Sequence, residues 1–308
     1  MSARRHEVPD EVAGGTRANP TMVTPAMLRS WRLPEPDGTK YARGQVLVVG
    51  GARFTPGAAM LAGVAALRMG AGRLSLGVAD SIAAQVAVAI PESGAYGLPE
   101  DEQGSVSGVD AGRLLAKELG RTDSILLGPG LDEPEGTIRL LGEVLAELPD
   151  EVPVVLDAFG ATVLPDLDSS LLGKLSGRLV LTPNTGELRR LLGLDEVAED
   201  EVDQAALDCA ERYGAAVGCN QHVAFEGRLW QITTGDTGLG TSGSGDAMAG
   251  AVAGLLSRGA TLPQALAWGK YAHAAAGDAL VARYGRVGYL AGEILPELPR
   301  VLTSLGGD

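Results

Sequence analysis

The sequence from Gly235 to Gly254, GDTGLGTSGSGDAMAGAVAG, carries the strongest signal in this chain. Its first half is rich in glycine and ends at Asp246, and the apolar residues that follow have helical spacing. Glycines let backbone N–H groups turn toward an anion, and the first turn of a helix adds a partial positive charge. The stretch therefore predicts a phosphate-binding loop, and a plain flexible loop with Asp246 as a helix cap is the competing interpretation.

Asp246 places a carboxylate beside this predicted anion site. Because two negative groups repel each other, Asp246 is a poor ligand for phosphate. A carboxylate in that position is better suited to removing a proton from a hydroxyl group that attacks phosphorus. We therefore predict that Asp246 is a general base and the catalytic residue.

The composition limits the classes of ligand. The chain has 308 residues, a net charge of −14 and only two cysteines, Cys209 and Cys219. The charge argues against nucleic acid and anionic membranes as partners, so a phosphate would have to be held by local groups such as backbone N–H groups or a divalent cation. The cysteines lack metal-binding spacing, which argues against structural zinc and a disulfide scaffold. Since no apolar run has the length of a signal peptide or a membrane span, we expect a cytoplasmic protein.

Strands, glycine turns and helices alternate from Gly44 onward. Five apolar runs have the length of strands buried on both faces. They are QVLVVGG (Gln45 to Gly51), RLSLGVA (Arg73 to Ala79), SILLGPG (Ser124 to Gly130), VPVVLDA (Val152 to Ala158) and RLVLTPN (Arg178 to Asn184). This alternation predicts an α/β fold with a mostly parallel central sheet flanked by helices, in which ligands bind at the carboxyl ends of the strands. Near Ala215 to Thr233, two apolar runs around Glu226 and Gly227 instead predict an antiparallel hairpin at the edge of the sheet.

The ends of the chain and its later helices allow three further predictions. Residues 1–22 are polar and contain prolines and paired glycines, so we expect a disordered lead-in, followed by a short helical turn at Thr24 to Trp31. Residues 44–302 show no linker and no internal repeat, which predicts a single domain over residues 23–308. The many alanines and glycines of the later helices suggest close helix packing between subunits.

Glycine-rich or polar residues follow four of the predicted strands. Gly50 and Gly51 lack the spacing of a dinucleotide fingerprint, and Gly128 to Gly130 fits a ligand contact and a plain turn equally well. Asp157 ends a buried strand, where a carboxylate is costly unless it is paired, hydrogen-bonded or near a metal, so we predict a functional role for it. Further along, Asn184 and Glu187 either form a capping box or bring Glu187 to a hydrated Mg²⁺ ion.

Five segments follow one another along the chain: KYARGQVLVVGGARFTPGAAMLAGVAALRMGAGRL, LLGPGL, VVLDA, LVLTPNTGELRRLLG and GTSGSGDAMAGAVAGLL. Together they resemble the ADP-dependent NAD(P)H-hydrate dehydratase family of the ribokinase-like superfamily. Each segment alone is a weak signal, but the order and spacing are specific, and the resemblance covers about residues 24–302. It implies a ribokinase-like three-layer sandwich and a homotetramer.

The resemblance also implies a repair reaction on nicotinamide cofactors that have added water to the dihydropyridine ring. In that family ADP or ATP phosphorylates the ring hydroxyl of the S form of hydrated NADH or NADPH, and elimination of phosphate regenerates the cofactor. Asp246 would deprotonate the hydroxyl, and Glu187 would help to hold Mg²⁺ through water. The glycine loop, Gly243, Ser244 and Gly245, would stabilise the charge on the phosphoryl oxygens.

Further site residues are implied by matching positions of the family. Ala58, Gly130, Asn184 and Asp157 would contact the hydrated cofactor together with Asp246, although many members have histidine at the position of Asn184. Cys219 and Asn220 would lie beside the nucleotide, where many members have a Lys-Gly pair. The lost lysine removes a phosphate-binding charge, so the sequence predicts that Cys219→Lys tightens ADP binding.

Two other functions remain open from the sequence. A vitamin-precursor kinase of the same superfamily would also use Asp246 and the glycine loop, and an inactive nucleotide-binding protein would account for the missing lysine. The segment GGARFTPGAA (Gly50 to Ala59) resembles the dehydratases more than the kinases. His222 and His273 are interpreted as structural or exposed residues.

Overall fold

A computed structural model describes residues 12–35 and 38–307. Its described part contains one ten-stranded sheet with the strand order β1-β10-β9-β8-β7-β6-β5-β2-β3-β4. The strands are β1 (Thr21–Val23), β2 (Gln45–Val49), β3 (Arg73–Ala79), β4 (Ser93–Leu98), β5 (Ser124–Leu127), β6 (Val154–Leu156), β7 (Leu179–Leu181), β8 (Ala215–Cys219), β9 (His222–Phe225) and β10 (Arg228–Ile232).

Helices connect most of these strands. They are α1 (Pro25–Ser30), α2 (Pro56–Arg68), α3 (Asp80–Ala89), α4 (Ala111–Leu119), α5 (Pro134–Glu147), α6 (Ala158–Thr162), α7 (Ser169–Leu175), α8 (Thr185–Leu192), α9 (Val202–Tyr213), α10 (Ser244–Ser257), α11 (Leu262–Tyr284), α12 (Ala291–Ile294) and α13 (Leu298–Leu305). No described helix is both long enough and apolar enough to cross a membrane. The expected turn at Thr24 to Trp31 is α1, in which the Thr24 side chain accepts a hydrogen bond from the Met27 N–H (3.2 Å).

The five predicted strand runs are confirmed as neighbouring parallel strands of the central sheet. Strand β2 pairs in parallel with both β3 and β5, and β5, β6, β7 and β8 continue in parallel. Alternate residues of these strands enter two separate cores: Val48 packs with the layer that contains α2, α10 and α11, whereas Val49 packs with the layer that contains α4, α5 and α9. The chain therefore forms the predicted mostly parallel sheet with helices on both faces.

The hairpin prediction is confirmed in part. Strands β9 and β10 pair in antiparallel fashion around Glu226 and Gly227, as expected. The preceding run is not one strand, however, because β8 ends at Cys219 and turns back into β9. Asn220 occupies this turn with a φ of +45°, a left-handed conformation that asparagine tolerates better than most residues.

The expectation of a disordered lead-in differs from the structure for residues 12–22. Strand β1 pairs with β10, Gly15 forms a bridge with Leu229, and the indole of Trp230 donates a hydrogen bond to the carbonyl oxygen of Val12 (2.9 Å). Val12 is fully buried. These contacts satisfy the backbone groups that an exposed edge strand would leave unpaired. The rest of the predicted lead-in, residues 1–11, lies outside the described residues.

The small residues of the later helices pack within the chain. Helix α10 lies so close to α2 that a side chain at Gly250 would collide with the carbonyl oxygen of Ala62, and one at Gly254 would collide with Ala66. Close approach of two helices requires small residues at the contact. The alanine and glycine content of α10 is thus explained without a subunit interface.

Candidate functional site

The residues that follow the parallel strands meet at one edge of the sheet. Gly51, after β2, donates a backbone hydrogen bond to the carbonyl oxygen of Pro129, after β5 (2.8 Å). After β6, Asp157 accepts a hydrogen bond from the hydroxyl of Thr182, which follows β7 (2.8 Å). These segments thus lie at the carboxyl edge of the sheet, where the sequence analysis expects ligands to bind.

The glycine loop leads directly into α10. Gly243 is the N-cap residue with a φ of +86°, and a side chain there would run into Leu61 of α2. The next glycine is different, because no heavy atom of the described residues lies within 4 Å of the position that a Gly245 Cβ would take. Glycine at 243 therefore serves the turn, whereas glycine at 245 leaves open space in front of the helix.

Backbone donors at the start of α10 are available for an anion. The first intrahelical hydrogen bond runs from the Ala247 N–H to the Gly243 carbonyl oxygen (3.0 Å). The N–H groups of Gly245 and Asp246 precede it in the first turn, where amides have no intrahelical acceptor. The Ser244 N–H, by contrast, already donates to the carbonyl oxygen of Thr241 (3.1 Å).

An open cavity of about 860 Å³ adjoins this loop. This volume is in the range of small-molecule sites. Its walls include Asn184, Gly218, Asn220, Ser244, Gly245, Lys270 and His273. One wall is thus the start of α10, and the opposite walls come from the ends of β7 and β8 and from α11.

Asp246 follows directly after the cavity wall at Gly245 and is half-buried. Burial raises the pKa of its carboxyl above the ordinary value. A raised pKa brings a carboxylate closer to the basicity that a proton acceptor needs near neutral pH. Asp246 itself is not part of the cavity wall, and its catalytic role stays a prediction.

Asp157 is almost fully buried at the end of β6. Burial raises the pKa of its carboxyl from 3.8 to about 7, the hydrogen bond from Thr182 opposes the rise, and the negative charges of Glu187 and Asp246 add to it. The next residue, Ala158, has a φ of +48°, which is sparsely populated for a residue with a side chain. Because Glu187 and Asp246 contribute to the raised pKa of Asp157, these three carboxyl groups lie close enough to interact electrostatically.

Asn184 and Glu187 form a reciprocal capping box at the start of α8. The Glu187 N–H donates to Asn184 Oδ1 (2.9 Å), and the Asn184 N–H donates to Glu187 Oε2 (3.0 Å). The structural interpretation of this pair is thus confirmed. Within the described residues no group of three or more histidine, cysteine, aspartate or glutamate side chains forms a ready metal site.

Ala58 and Gly130 lie together near the ends of β2 and β5. A Cβ at Gly130 would lie 3.1 Å from the Ala58 Cβ, and the Gly130 carbonyl oxygen accepts a hydrogen bond from the Thr55 hydroxyl (2.7 Å). Neither Ala58 nor Gly130 is part of the cavity wall. Ala58 belongs instead to the first turn of α2 and Gly130 packs against it, and Leu61 of the same helix lies against Gly243 of the glycine loop.

Cys219 and Asn220 differ in their access to the cavity. Asn220 is exposed and forms part of the wall, whereas the Cys219 side chain is fully buried. Burial raises the pKa of the Cys219 thiol to about 11, so this residue is neutral at ordinary pH. The structure therefore separates two residues that the sequence analysis treated as one pair.

Two cavity residues on α11 were missed or undervalued in the sequence. His273 is buried, and its Nε2 forms a hydrogen bond with the Ser244 hydroxyl (2.9 Å). Burial lowers the pKa of His273 to about 4, so its imidazole is neutral at pH 7. Lys270 was not considered, although a lone lysine in the apolar segment ALAWGKYAHAAAG is an unusual residue for the interior.

Comparison with known proteins gives one consistent result. A model of the NAD(P)H-hydrate dehydratase family matches residues 46–300. The ADP-dependent (S)-NAD(P)H-hydrate dehydratase of Xanthomonas campestris pv. campestris is 42% identical over 288 residues, which cover 92% of this chain and 96% of that protein.

Solved structures agree with this similarity. A ribokinase-like superfamily protein from Enterococcus faecalis V583 has a TM-score of 0.77 at 23% identity, over 92% of this chain and 95% of that one. The ADP/ATP-dependent NAD(P)H-hydrate dehydratase from Bacillus subtilis, co-crystallized with ATP and Mg²⁺, has a TM-score of 0.74 at 25% identity, over 92% and 98%. The predicted ribokinase-like fold is confirmed by these likenesses.

Proposed function

The chain belongs to the NAD(P)H-hydrate dehydratase family, and on that premise we propose that it dehydrates the S form of hydrated NADH or NADPH, with ADP or ATP as the phosphoryl donor. The similarity to the Xanthomonas enzyme over nearly its whole length favours this reaction over a vitamin-precursor kinase or an inactive nucleotide binder. The single observation that carries the proposal is the half-buried Asp246 at the start of α10, next to a cavity of about 860 Å³.

In the phosphoryl transfer, Asp246 accepts one proton. Its carboxylate takes the proton of the ring hydroxyl as the hydroxyl oxygen bonds to the terminal phosphorus of the nucleotide. The bond from that phosphorus to the bridging oxygen breaks, and with ADP as donor AMP leaves. The phosphorylated ring then loses inorganic phosphate, because the lone pair of the ring nitrogen displaces it, and loss of a neighbouring ring proton restores the double bond.

The start of α10 stabilises the charge that develops during this transfer. The N–H groups of Gly245 and Asp246 and the positive end of the helix face the anion, and Gly243 provides the turn that presents them. Ser244 helps to hold the loop in place rather than binding the anion directly. Its N–H donates a hydrogen bond to the Thr241 carbonyl oxygen, and its hydroxyl is hydrogen-bonded to His273. Asn220 would lie against the nucleotide at the cavity wall, with Cys219 behind it.

Mg²⁺ fits the chemistry of the carboxylates at this site. The charges of Glu187 and Asp246 add to the raised pKa of Asp157, and the charge of Asp246 adds to that of Glu187, so a nearby cation would relieve that repulsion. Glu187 is the residue that would hold the hydrated ion, while its Oε2 stays in the capping box. Bound there, the ion would offset part of the negative charge of the nucleotide phosphates.

The hydrated nicotinamide is assigned to the side of the site near α2. Ala58, Gly130, Asp157 and Asn184 would contact it, which sets its ring hydroxyl toward Asp246. Asn184 also forms part of the cavity wall, so it lies between the two ligands. A cytoplasmic location, where these metabolites are used, and a homotetrameric assembly belong to the same proposal, and sedimentation analysis tests the assembly.

The decisive assay follows the near-ultraviolet absorbance of reduced nicotinamide. Purified protein is mixed with hydrated NADH, Mg²⁺ and ADP or ATP, with a matched reaction that lacks nucleotide. We expect absorbance to rise only when nucleotide is present, and the faster nucleotide identifies the donor. A flat trace with both nucleotides, from protein that binds them by calorimetry, would reject the dehydratase and leave the kinase and the inactive binder.

A further inference from the structure

Lys270 lies in the middle of α11 and is only 8% exposed, yet it forms part of the cavity wall. Among the residues that line this cavity it is the only lysine or arginine. Within the described part of the chain, its ammonium group takes part in none of the hydrogen bonds and ion pairs. An ammonium group thus lies at a cavity of about 860 Å³ without a hydrogen-bond or ion-pair partner among the described residues.

Such a cation is costly to bury. Removing an ammonium group from water without pairing it is strongly unfavourable, which is why buried lysines normally have a carboxylate partner. Burial lowers the pKa of Lys270, and negative charge on Asp157 opposes that shift, whereas the Cys219 thiol is neutral at ordinary pH. The chain has 39 acidic residues, yet no described carboxylate forms an ion pair with Lys270. Its ammonium group is therefore available to a ligand that enters the cavity.

The surroundings of Lys270 indicate what enters. Its Cδ lies 3.1 Å from the position that a Cβ at Gly218 would take, so the side chain runs along the end of β8. The neighbouring titratable groups are Cys219, His222, His273 and Asp157. Gly245, which begins the row of backbone donors at α10, belongs to the wall of the same cavity. A helix start and a buried ammonium group at one cavity favour an anion such as phosphate.

We propose that Lys270 binds the phosphates of the nucleotide, and that α11 thereby supplies the cation that β8 lacks at Cys219. The inference rests on the proposed function, because that function requires a nucleoside diphosphate or triphosphate in this cavity. On this proposal the Lys270 ammonium group binds the phosphates of ADP or ATP and not the diphosphate of hydrated NADH or NADPH. The reason is that Lys270 lies beside Gly218 and lines the same cavity as Asn220, whereas Ala58 and Gly130 are not part of that cavity wall.

The first test compares Lys270→Met with the unchanged protein by calorimetry, using ADP and adenosine as ligands. We expect the substitution to weaken ADP binding by about 10- to 100-fold, the range of a hydrogen bond to a charged group, and to leave adenosine binding unchanged. Equal ADP affinity in both proteins would overturn the proposal. Equal losses for ADP and adenosine would do so as well, since they would indicate a damaged cavity rather than a lost phosphate contact.

Thermal unfolding without ligand separates a binding role from a structural one. Methionine is close to lysine in shape and carries no charge, so Lys270→Met is expected to hold or raise the melting temperature of the free protein. At the same time the increase in melting temperature caused by ADP should shrink. A lower melting temperature without ligand, together with an unchanged ADP response, would assign Lys270 to the fold alone.

A second variant places a lysine at position 219, at the end of β8. In the unchanged background, Cys219→Lys adds a second ammonium group within electrostatic range of Lys270 at a fully buried position, so we now expect it to lower stability without tightening ADP binding. In the Lys270→Met background, the same substitution should recover most of the lost ADP affinity. An equal effect of Cys219→Lys in both backgrounds would show that the two positions do not share one ligand.

Failure of the proposed function would look different from failure of this inference. If the unchanged protein binds ADP through Lys270 but never converts hydrated NADH to NADH, the proposed function fails and the phosphate contact stands. If it converts hydrated NADH to NADH while Lys270→Met binds ADP normally, only the inference fails. Hydrated NADH, titrated without nucleotide, should bind both proteins equally, and a selective loss in Lys270→Met would move the contact to the dinucleotide.

Discussion

Asp246 combines a raised pKa with a place in the first turn of α10. Asp246→Asn keeps the shape of the side chain and removes the proton acceptor. We expect ADP binding to persist and turnover of hydrated NADH to fall by at least about 100-fold, the lower end of the contribution of a general base. Turnover is measured by the recovery of reduced-nicotinamide absorbance.

The matched control is Asp166→Asn. Asp166 forms an exposed ion pair with Arg190 (2.9 Å) away from the site, so its loss changes the net charge in the same way. Surface ion pairs contribute little to stability, and turnover should stay near that of the unchanged protein. Near-normal turnover in Asp246→Asn would remove Asp246 from the mechanism.

Asp157 gives a prediction for the dependence of stability on pH. Its carboxyl pKa rises from 3.8 to about 7 on folding, so the folded state holds this proton at pH values where the unfolded state has lost it. Stability is therefore lost as pH rises from about 4 to about 7 and changes little beyond that range. Asparagine at 157 keeps an oxygen for the Thr182 hydroxyl and has no proton to lose. Relative to the unchanged protein, Asp157→Asn should gain stability from low to neutral pH.

The measurement is chemical denaturation of both proteins across this pH range, without nucleotide or Mg²⁺. Each unit of pKa difference corresponds to about 1.4 kcal/mol, so the gap between the two curves should widen by more than about 1 kcal/mol. Curves that stay parallel would mean that Asp157 titrates in the folded protein as it does in the unfolded chain.

Single residues were predictable where their local sequence is unusual. Asp157 stands out because a carboxylate directly follows three apolar residues, and the structure explains how it is accommodated, through Thr182. Lys270 did not stand out in the same way, because its role depends on which side of α11 faces the cavity. An almost uniformly apolar helix hides its rotation, since no polar face marks the solvent side.

At the level of elements, the start of α10 offers a matched pair of glycines. Gly243 has a φ of +86° and faces Leu61, whereas Gly245 faces open space. Gly243→Ala should lower the free energy of unfolding by about 1 to 3 kcal/mol, because alanine is strained at positive φ and collides with α2. Gly245→Ala should fold normally and weaken ADP binding, because its methyl group would occupy space assigned to the phosphate.

Thermal unfolding and ADP titration of the two variants check this assignment. The expected pattern is a loss of stability at 243 and a loss of affinity at 245. If Gly245→Ala binds ADP as tightly as the unchanged protein, the space in front of α10 is not where the nucleotide phosphate binds.

The parallel strands were the most predictable elements. Apolar runs such as QVLVV are buried on both faces, so their composition alone marks them. The turn between β8 and β9 was missed because Asn220 and Gln221 separate two apolar runs by only two residues. A long strand and a tight hairpin share that pattern, and only the left-handed φ of Asn220 distinguishes them.

Across the whole molecule, the edge of the sheet explains why the lead-in was misjudged. The composition of residues 12–22 is that of a disordered segment, and residues 16–19 and 22 do remain exposed. Its order comes from a distant partner, because β10 pairs with β1 and the Trp230 indole donates a hydrogen bond to the Val12 carbonyl oxygen (2.9 Å). Local composition carries no information about such a partner.

Two substitutions within this segment test its docking on the whole fold. Val12 is fully buried whereas Ala18 is exposed, so Val12→Asp and Ala18→Asp add the same charge in different surroundings. If the segment is docked in solution, Val12→Asp should lower the free energy of unfolding by about 2 kcal/mol or more, because it buries an unpaired carboxylate. Ala18→Asp should stay within about 0.5 kcal/mol of the unchanged protein. Equal and small effects, measured by chemical denaturation, would mean that residues 12–22 do not stay paired with β10 in solution.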